Sequence, residues 1–286
     1  MREFFVDVKP SNERREVVNE IDTIQYFCYT LQGKGRVNHM TRLEKIVKIV
    51  SKRRKIEVNK LSELLDVSKV TIRKDLDKLE TNGILHREHG YAVLNSEDDL
   101  NYRLAVNYDI KKRIAKEAAK EIADNDVVLI ESGSTCVLLA EELANERENV
   151  TIITNSNFLA SHVRRSDSIN IVLLGGEYQK RSQVSTGFLT EKAVSHFYCD
   201  KMFVGIDGID KDRGFTSLDL RRAETARAMA ARADELIILT DANKFKNKGL
   251  VSFFPFSEVS KIYTDKRIKN DVIKFLRQEE IELVTV

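Results

Sequence analysis

Apolar residues recur along this chain with two different periods, and the change of period divides it. Leu43, Ile46, Val47 and Val50 fall at i, i+3, i+4 and i+7, the single stripe of an amphipathic helix. A second helix is expected over Val58–Leu65, with Leu61, Leu64 and Leu65 inward. Asp66-Val67 reads as a tight turn, and Ser68 stands where an N-cap belongs, before a third helix over Lys69–Thr81. Ile72, Leu76 and Leu79 form the buried stripe of that helix. Asn82-Gly83 should end it, because both residues accept the left-handed conformation of a helix C-terminus. Residues 84–94 alternate apolar and polar around His89-Gly90, as a small hairpin does.

Residues 95–108 are polar and read as a linker. Beyond Asp109, short apolar runs at 127–131, 150–153, 169–174, 201–205, 235–240, 261–264 and 281–285 alternate with helical patterns. Compact apolar strands separated by helices predict a mainly parallel sheet covered on both faces. The expected fold class is therefore α/β: a winged helix-turn-helix over residues 40–94, then a mainly parallel α/β domain over 109–286. Residues 1–39 show no clear periodicity. Met40 is expected to be the natural start, with the first 39 residues an upstream extension; the rival is a real N-terminal arm.

Composition narrows the class. Of the 286 residues, 42% are hydrophobic and 32% charged, as in soluble globular proteins. No run approaches the roughly 18 apolar residues of a membrane helix, and charges beside Phe4, Phe5 and Val6 argue against a signal peptide. Three distant cysteines, Cys28, Cys136 and Cys199, suggest reduced thiols in a cytoplasm. None has metal-ligand spacing, so no metal is expected. Residues 40–94 hold 13 Lys or Arg against 8 Asp or Glu, an excess of five positive charges. The rest of the chain is net −3, given +2 for the whole. A basic module on a mildly acidic body suggests a polyanion partner for the module alone.

The third helix carries the candidate chemistry. Opposite its apolar stripe lie Val70, Thr71, Lys74 and Lys78, with Arg73 at the flank and Ser68 and Lys69 at the N-terminus. A helix of this diameter fits the major groove of double-stranded DNA, and its N-terminal residues reach base edges. Arginine pairs with guanine, lysines neutralise phosphates, and Val70 suits a thymine methyl. Arg87 and His89 in the hairpin would lie over the adjacent backbone or minor groove. A bare three-helix packing unit with a solvated basic face is the competing reading; helix, turn, capped basic helix and hairpin in that order favour DNA binding. Arg73 has an alternative partner in Asp77 on its own helix.

Several expected strands end in small or polar residues: Ser132-Gly133-Ser134-Thr135, Thr154-Asn155-Ser156, Gly175-Gly176, Gly205-Ile206-Asp207-Gly208, then Asp241 with Lys244. Ligands of open parallel sheets bind outside the carboxyl ends of the strands. Glycines admit an oxyanion to backbone amides, and a helix N-terminus favours negative charge. Lys244 would add a full positive charge. Each loop alone is an ordinary turn; their recurrence at strand ends is the signal.

Val67-Ser68-Lys69-Val70-Thr71-Ile72-Arg73-Lys74-Asp75-Leu76, followed by Leu79-Glu80 and Gly83, resembles the DeoR family of sugar-responsive regulators. Two positions depart from the family pattern: Lys74 replaces a second arginine, and Tyr91 replaces the last glycine of the wing motif. The likeness continues through Lys111-x-x-Ile114-Ala115, Gly133-Ser134-Thr135, Thr154-Asn155-Ser156, Gly175-Gly176, Gly205-x-x-Gly208, Gly214-Phe215-Thr216, Asp241-x-x-Lys244-Phe245 and Thr264-Asp265, with Glu131 where an aspartate is usual. The resemblance implies a fold shared with ribose-phosphate isomerase and glucosamine-phosphate deaminase. It further implies a phosphorylated sugar as effector, no other cofactor, and a repressor acting on an operator as a homodimer or higher oligomer. The implied effector contacts are Ser132, Gly133, Ser134, Thr135, Asn155, Gly176, Asp207 and Lys244.

That kinship makes a sugar-phosphate isomerase or deaminase the rival class. Ile209 occupies the position of the deaminase's catalytic histidine and cannot move a proton. Lys211 replaces the glutamate of the isomerase loop. A binding pocket without turnover fits better. Arg221, Arg222 and Glu224 are further candidates for ligand contact, or a solvated helix start.

Overall fold

The computed structural model describes residues 42–53, 55–81, 85–94 and 100–286. The proposed start at Met40, the first 39 residues, Asn82-Gly83 and the first part of the linker lie outside them. Two compact units divide the chain between Leu94 and Asn95.

In the first unit, α1 (Arg42–Arg53), α2 (Val58–Leu65) and α3 (Lys69–Thr81) accompany a small sheet of β1 (Lys55–Glu57), β2 (Leu85–Glu88) and β3 (Tyr91–Leu94), ordered β1-β3-β2. Ile46, Val50, Leu61, Ile72, Leu76 and Leu79 are fully buried and form its core with Ile56 and Leu85. Leu64 departs from expectation: it is 45% exposed, because an eight-residue helix turns only Val58 and Leu61 fully inward. Asp66 takes the left-handed conformation expected of the turn, at φ 53° and ψ 49°. The Thr71 amide donates to Ser68 Oγ at 3.2 Å, so Ser68 is the N-cap of α3. The β2–β3 hairpin turns at His89-Gly90, both at positive φ as a type I′ turn requires. Tyr91, where the family has glycine, lies just past that turn. Its hydroxyl donates to Glu57 on β1 at 2.9 Å and Lys55 lies over its ring, tying the wing to the first strand.

In the second unit, seven strands form one sheet: β4 (Val127–Ile130), β5 (Val150–Thr154), β6 (Ile169–Leu173), β9 (Cys199–Val204), β12 (Ala233–Leu239), β14 (Lys261–Thr264) and β15 (Glu282–Thr285). Their order is β15-β14-β12-β9-β4-β5-β6, and every pairing is parallel. All seven expected strands are therefore present. The chain runs outward from β4 through β5 and β6, then returns to β9 on the other side of β4 and proceeds to β15. The order thus reverses between β4 and β9, where open α/β sheets bind ligands.

Two features were not expected. A hairpin of β7 (Glu177–Gln179) and β8 (Val184–Thr186) occupies a stretch with no strong apolar run, and β10 (Gly208–Asp210), β11 (Gly214–Ser217) and the apolar β13 (Val251–Phe254) form a separate antiparallel sheet. The linker reading also needs correction. Leu100–Ala105 is a helix, α4, and its Leu100 and Leu104 are buried. Its polar residues hid a short apolar spacing of four.

Helix α5 (Tyr108–Ala118) packs on α6 (Ser134–Glu146), α6 on α7 (Asn157–Val163), and α8 (Phe188–Val194) on α9 (Leu220–Ala230). Among the described residues, no helix is long and apolar enough to cross a membrane, and no cluster of His, Cys, Asp and Glu fits a metal ion. Cys136 and Cys199 are both buried free thiols.

Candidate functional sites

The exposed face of α3 is built by its own buried stripe. Because Ile72, Leu76 and Leu79 face inward, Lys69, Val70, Arg73, Lys74 and Lys78 face solvent, with Thr71 half-buried. Val70 is 62% exposed, an unfavourable place for an isolated valine that suits contact with an apolar base edge. The Ser68 and Thr71 hydroxyls lie 2.9 Å apart, so both are engaged at the cap.

Two ion pairs position this face. Arg42 on α1 grips the buried carboxylate of Asp75 through Nε at 2.5 Å and Nη2 at 3.1 Å. Arg87 is held by α3: its Nε lies 2.8 Å from Glu80, its Nη2 2.6 Å from Asp77, and its amide donates to Glu80 at 2.7 Å. The guanidinium of Arg87, an expected DNA contact, clamps the wing to α3. Asp77 receives Arg87 Nη2. His89 stands exposed at the hairpin tip.

In the α/β unit, a cavity of about 220 Å³ opens outside the carboxyl ends of β4, β9 and β12. Ser132, Gly133, Ser134 and Thr135 line it after β4, Asp207 after β9, and Lys244 after β12. The two central loops approach each other closely: a Cβ on Gly133 would lie 3.2 Å from the Gly205 backbone. Gly133 is the N-cap of α6 and no side chain caps this 13-residue helix, while Ser134 and Thr135 of its first turn line the cavity.

Asn155 and Gly176, also expected to contact the effector, are not among the residues that line this cavity. Asn155 is buried and donates from Nδ2 to the Ser185 carbonyl at 3.0 Å, holding the β8 strand. Gly176 serves packing: a Cβ there would lie 2.0 Å from Thr190 Oγ1 and 2.7 Å from the Thr186 carbonyl oxygen. Lys244 is also no lone charge, since its Nζ lies 3.5 Å from Asp207 Oδ1.

Burial alone would push the Asp207 carboxyl up. Lys244, the Leu218 amide at 3.0 Å, Arg103 and Arg222 outweigh it and hold Asp207 below the usual aspartate range.

The cavity also takes Tyr102, Arg103, Lys111, Glu131, Arg222 and Asp241 into its wall. Arg222 is the lining member of the Arg221, Arg222, Glu224 group, while Arg221 pairs with Glu177. A helical signal marked two of these cations. Lys111 shares a buried face with Ile114, Ala115 and Ala118, and Arg222 shares one with Thr225, Ala226 and Met229. A charge at i of an i, i+3, i+4, i+7 apolar stripe must be buried against something polar. Arg103 had no such signal, because its helix was read as linker. The residues of the enzyme reading lie elsewhere: Ile209 packs against the hydrophobic core, and Lys211 lies over the Phe275 ring.

Comparison with known proteins agrees with both units. The chain is 30% identical over 241 residues to the glycerol-3-phosphate regulon repressor of Escherichia coli (strain K12), covering 83% of this chain and 95% of the relative. It is 30% identical over 247 residues to the lactose phosphotransferase system repressor of Streptococcus mutans serotype c, covering 84% and 97%. It is 28% identical over 247 residues to the L-fucose operon activator of Haemophilus influenzae, covering 85% and 98%. Among solved structures, ribose 5-phosphate isomerase A from Methanocaldococcus jannaschii aligns with 49% of this chain and 55% of its own, at 22% identity and a TM-score of 0.36. Residues 42–98 match the DeoR-like helix-turn-helix domain and residues 106–266 the DeoR C terminal sensor domain. This chain therefore belongs to the DeoR family of DNA-binding transcriptional regulators.

Proposed function

We propose that this regulator represses a carbohydrate-utilisation operon and is released from its operator by a phosphorylated sugar bound in the cavity beside α6. The observation that carries this reading is the uncapped N-terminus of α6 at a cavity whose wall holds Arg103, Lys111, Arg222 and Lys244. A helix N-terminus and cations together suit a phosphate, while Glu131, Asp207 and Asp241 suit the hydroxyls of a sugar. The named relatives repress glycerol-3-phosphate and lactose systems. An activator is also similar, so the direction of control belongs to the proposal.

The effector would bind one conformation in preference and shift the population away from the DNA-competent one. A coupling of about 1–3 kcal/mol changes operator affinity by about 5–150-fold. The DNA would be a pseudo-palindromic operator bound by a homodimer or higher oligomer, as half-site geometry favours. The protein acts in the cytoplasm, binds without turnover and needs no further cofactor. Ile209, an aliphatic side chain packed against the core, has no group to move a proton, which supports the absence of turnover.

The test is operator binding titrated with a panel of sugar phosphates. One of them should release the DNA and emerge chemically unchanged. Insensitivity to the whole panel, or consumption of the releasing compound, would count against the reading.

A further inference from the structure

Lys111 is a buried cation in the wall of the cavity. It lies on α5 with 5% of its surface exposed, and its Nζ donates to the Arg103 carbonyl oxygen. Around the same cavity, Arg103, Arg222 and Lys244 are matched in formal charge by Glu131, Asp207 and Asp241. Lys111 is the fourth cation, with no carboxylate left over for it.

The elements packed against α5 supply no dedicated counter-charge. On α6, Glu141 and Glu142 take Lys112 at 3.6 Å, and Glu146 takes Lys116 at 3.7 Å. On β14, Lys261 is held by Glu121 at 2.8 Å and by Glu282 on β15 at 3.3 Å. After β12, Asp241 faces Lys111 but also receives the Asn107 amide at 3.3 Å and lies 3.9 Å from Arg267. Burial therefore pushes the Lys111 ammonium down to about 7; Asp241 opposes the fall, and Lys244 and Arg103 add to it.

We propose that Lys111 takes up a proton when a dianion occupies the cavity, so that anion binding by this sensor is coupled to proton uptake from solvent. The inference rests on the cavity being the anion site proposed above. An opposite charge within a few ångströms raises the proton affinity of an amine roughly 10- to 1000-fold. A phosphate-sized dianion thus adds counter-charge to a wall whose described residues hold four cations and three carboxylates. The consequence is a sensor whose response weakens as pH rises above neutral.

The test uses the full chain and sulfate, which stays dianionic across the range and cannot itself supply the proton. Calorimetric titration in buffers of different ionisation enthalpy counts the protons exchanged. Wild type should take up about 0.4 to 0.9 proton per sulfate at pH 8, and its affinity should fall about two- to eightfold between pH 8 and pH 9, the spans set by a 10- to 1000-fold rise in proton affinity. Lys111→Met should bind sulfate more weakly with the uptake gone, and Lys111→Arg should bind without a pH dependence.

Sulfate bound by wild type with no proton uptake overturns the coupling and leaves the anion site standing. Uptake that persists in Lys111→Met overturns the assignment to Lys111. No sulfate binding at all overturns the anion-site reading and this inference with it. If neither variant folds, the proton count of wild type still decides.

Discussion

Arg42 and Asp75, 33 positions apart, form a forked ion pair that joins the first helix of the DNA-binding unit to its recognition helix. Asp75 is buried while Arg42 keeps 44% of its side chain in solvent. The family motif around Asp75 thus includes a residue that is buried and lies off the exposed face of α3. Arg42→Ala leaves a buried carboxylate without its main partner. It should lower the stability of this unit by about 1–2 kcal/mol, discounted for the exposed guanidinium, with Asp75→Asn costing less. Urea unfolding measures both; equal stability to wild type would show the pair contributes nothing.

Arg87 and Lys74 separate clamping from contact. Lys74 on the exposed face of α3 should neutralise a phosphate, so Lys74→Ala should reduce the salt slope of operator binding by about one. Arg87→Ala should leave that slope unchanged, because its guanidinium is committed to Asp77 and Glu80. Its expected effect is faster hydrogen exchange in the β2–β3 hairpin. A slope reduced by Arg87→Ala would mean the arginine leaves α3 for DNA.

Arg222→Ala should raise the effector concentration needed for operator release by about tenfold or more, the cost of one charge-assisted hydrogen bond. Operator affinity without effector should not change. Release curves from fluorescence anisotropy give both quantities in one experiment.

Gly176→Ala tests packing against binding. The added methyl meets Thr190 and the Thr186 carbonyl oxygen, so it should destabilise the α/β unit by about 1–3 kcal/mol. Among molecules still folded, effector affinity should stay at the wild-type value. Lost affinity at full stability would return Gly176 to the binding site.

Lys111 makes stability depend on pH. Its folded value of about 7 lies below the ordinary 10.5. Between those values the unfolded chain holds a proton that the folded one lacks, so stability rises with pH through that window. The cost of the buried charge is full below about 7 and gone above about 10.5. Lys111→Met should therefore be stabilising at pH 6, by on the order of 5 kcal/mol at most, and neutral near pH 10. Thermal melts across this range check the sign.

Local physics made much of this protein legible in its sequence. The α3 helix, its Ser68 cap, the His89-Gly90 turn and the seven parallel strands each depend on residues within a few positions of one another. The cavity was half legible: Ser132, Gly133, Ser134, Thr135, Asp207 and Lys244 line it because strand ends converge at the point where strand order reverses. Tertiary structure alone decided which side chains turn into that point. Asn155 and Gly176 share the strand-end signature, yet one holds β8 and the other makes room for Thr190. Arg103, Lys111 and Arg222 sit on three separate helices and meet only when the sheet is assembled. Charge pairing was decided in the same way, because whether Lys244 faces Asp207 or Lys111 is left without its own carboxylate depends on packing between segments far apart in the chain.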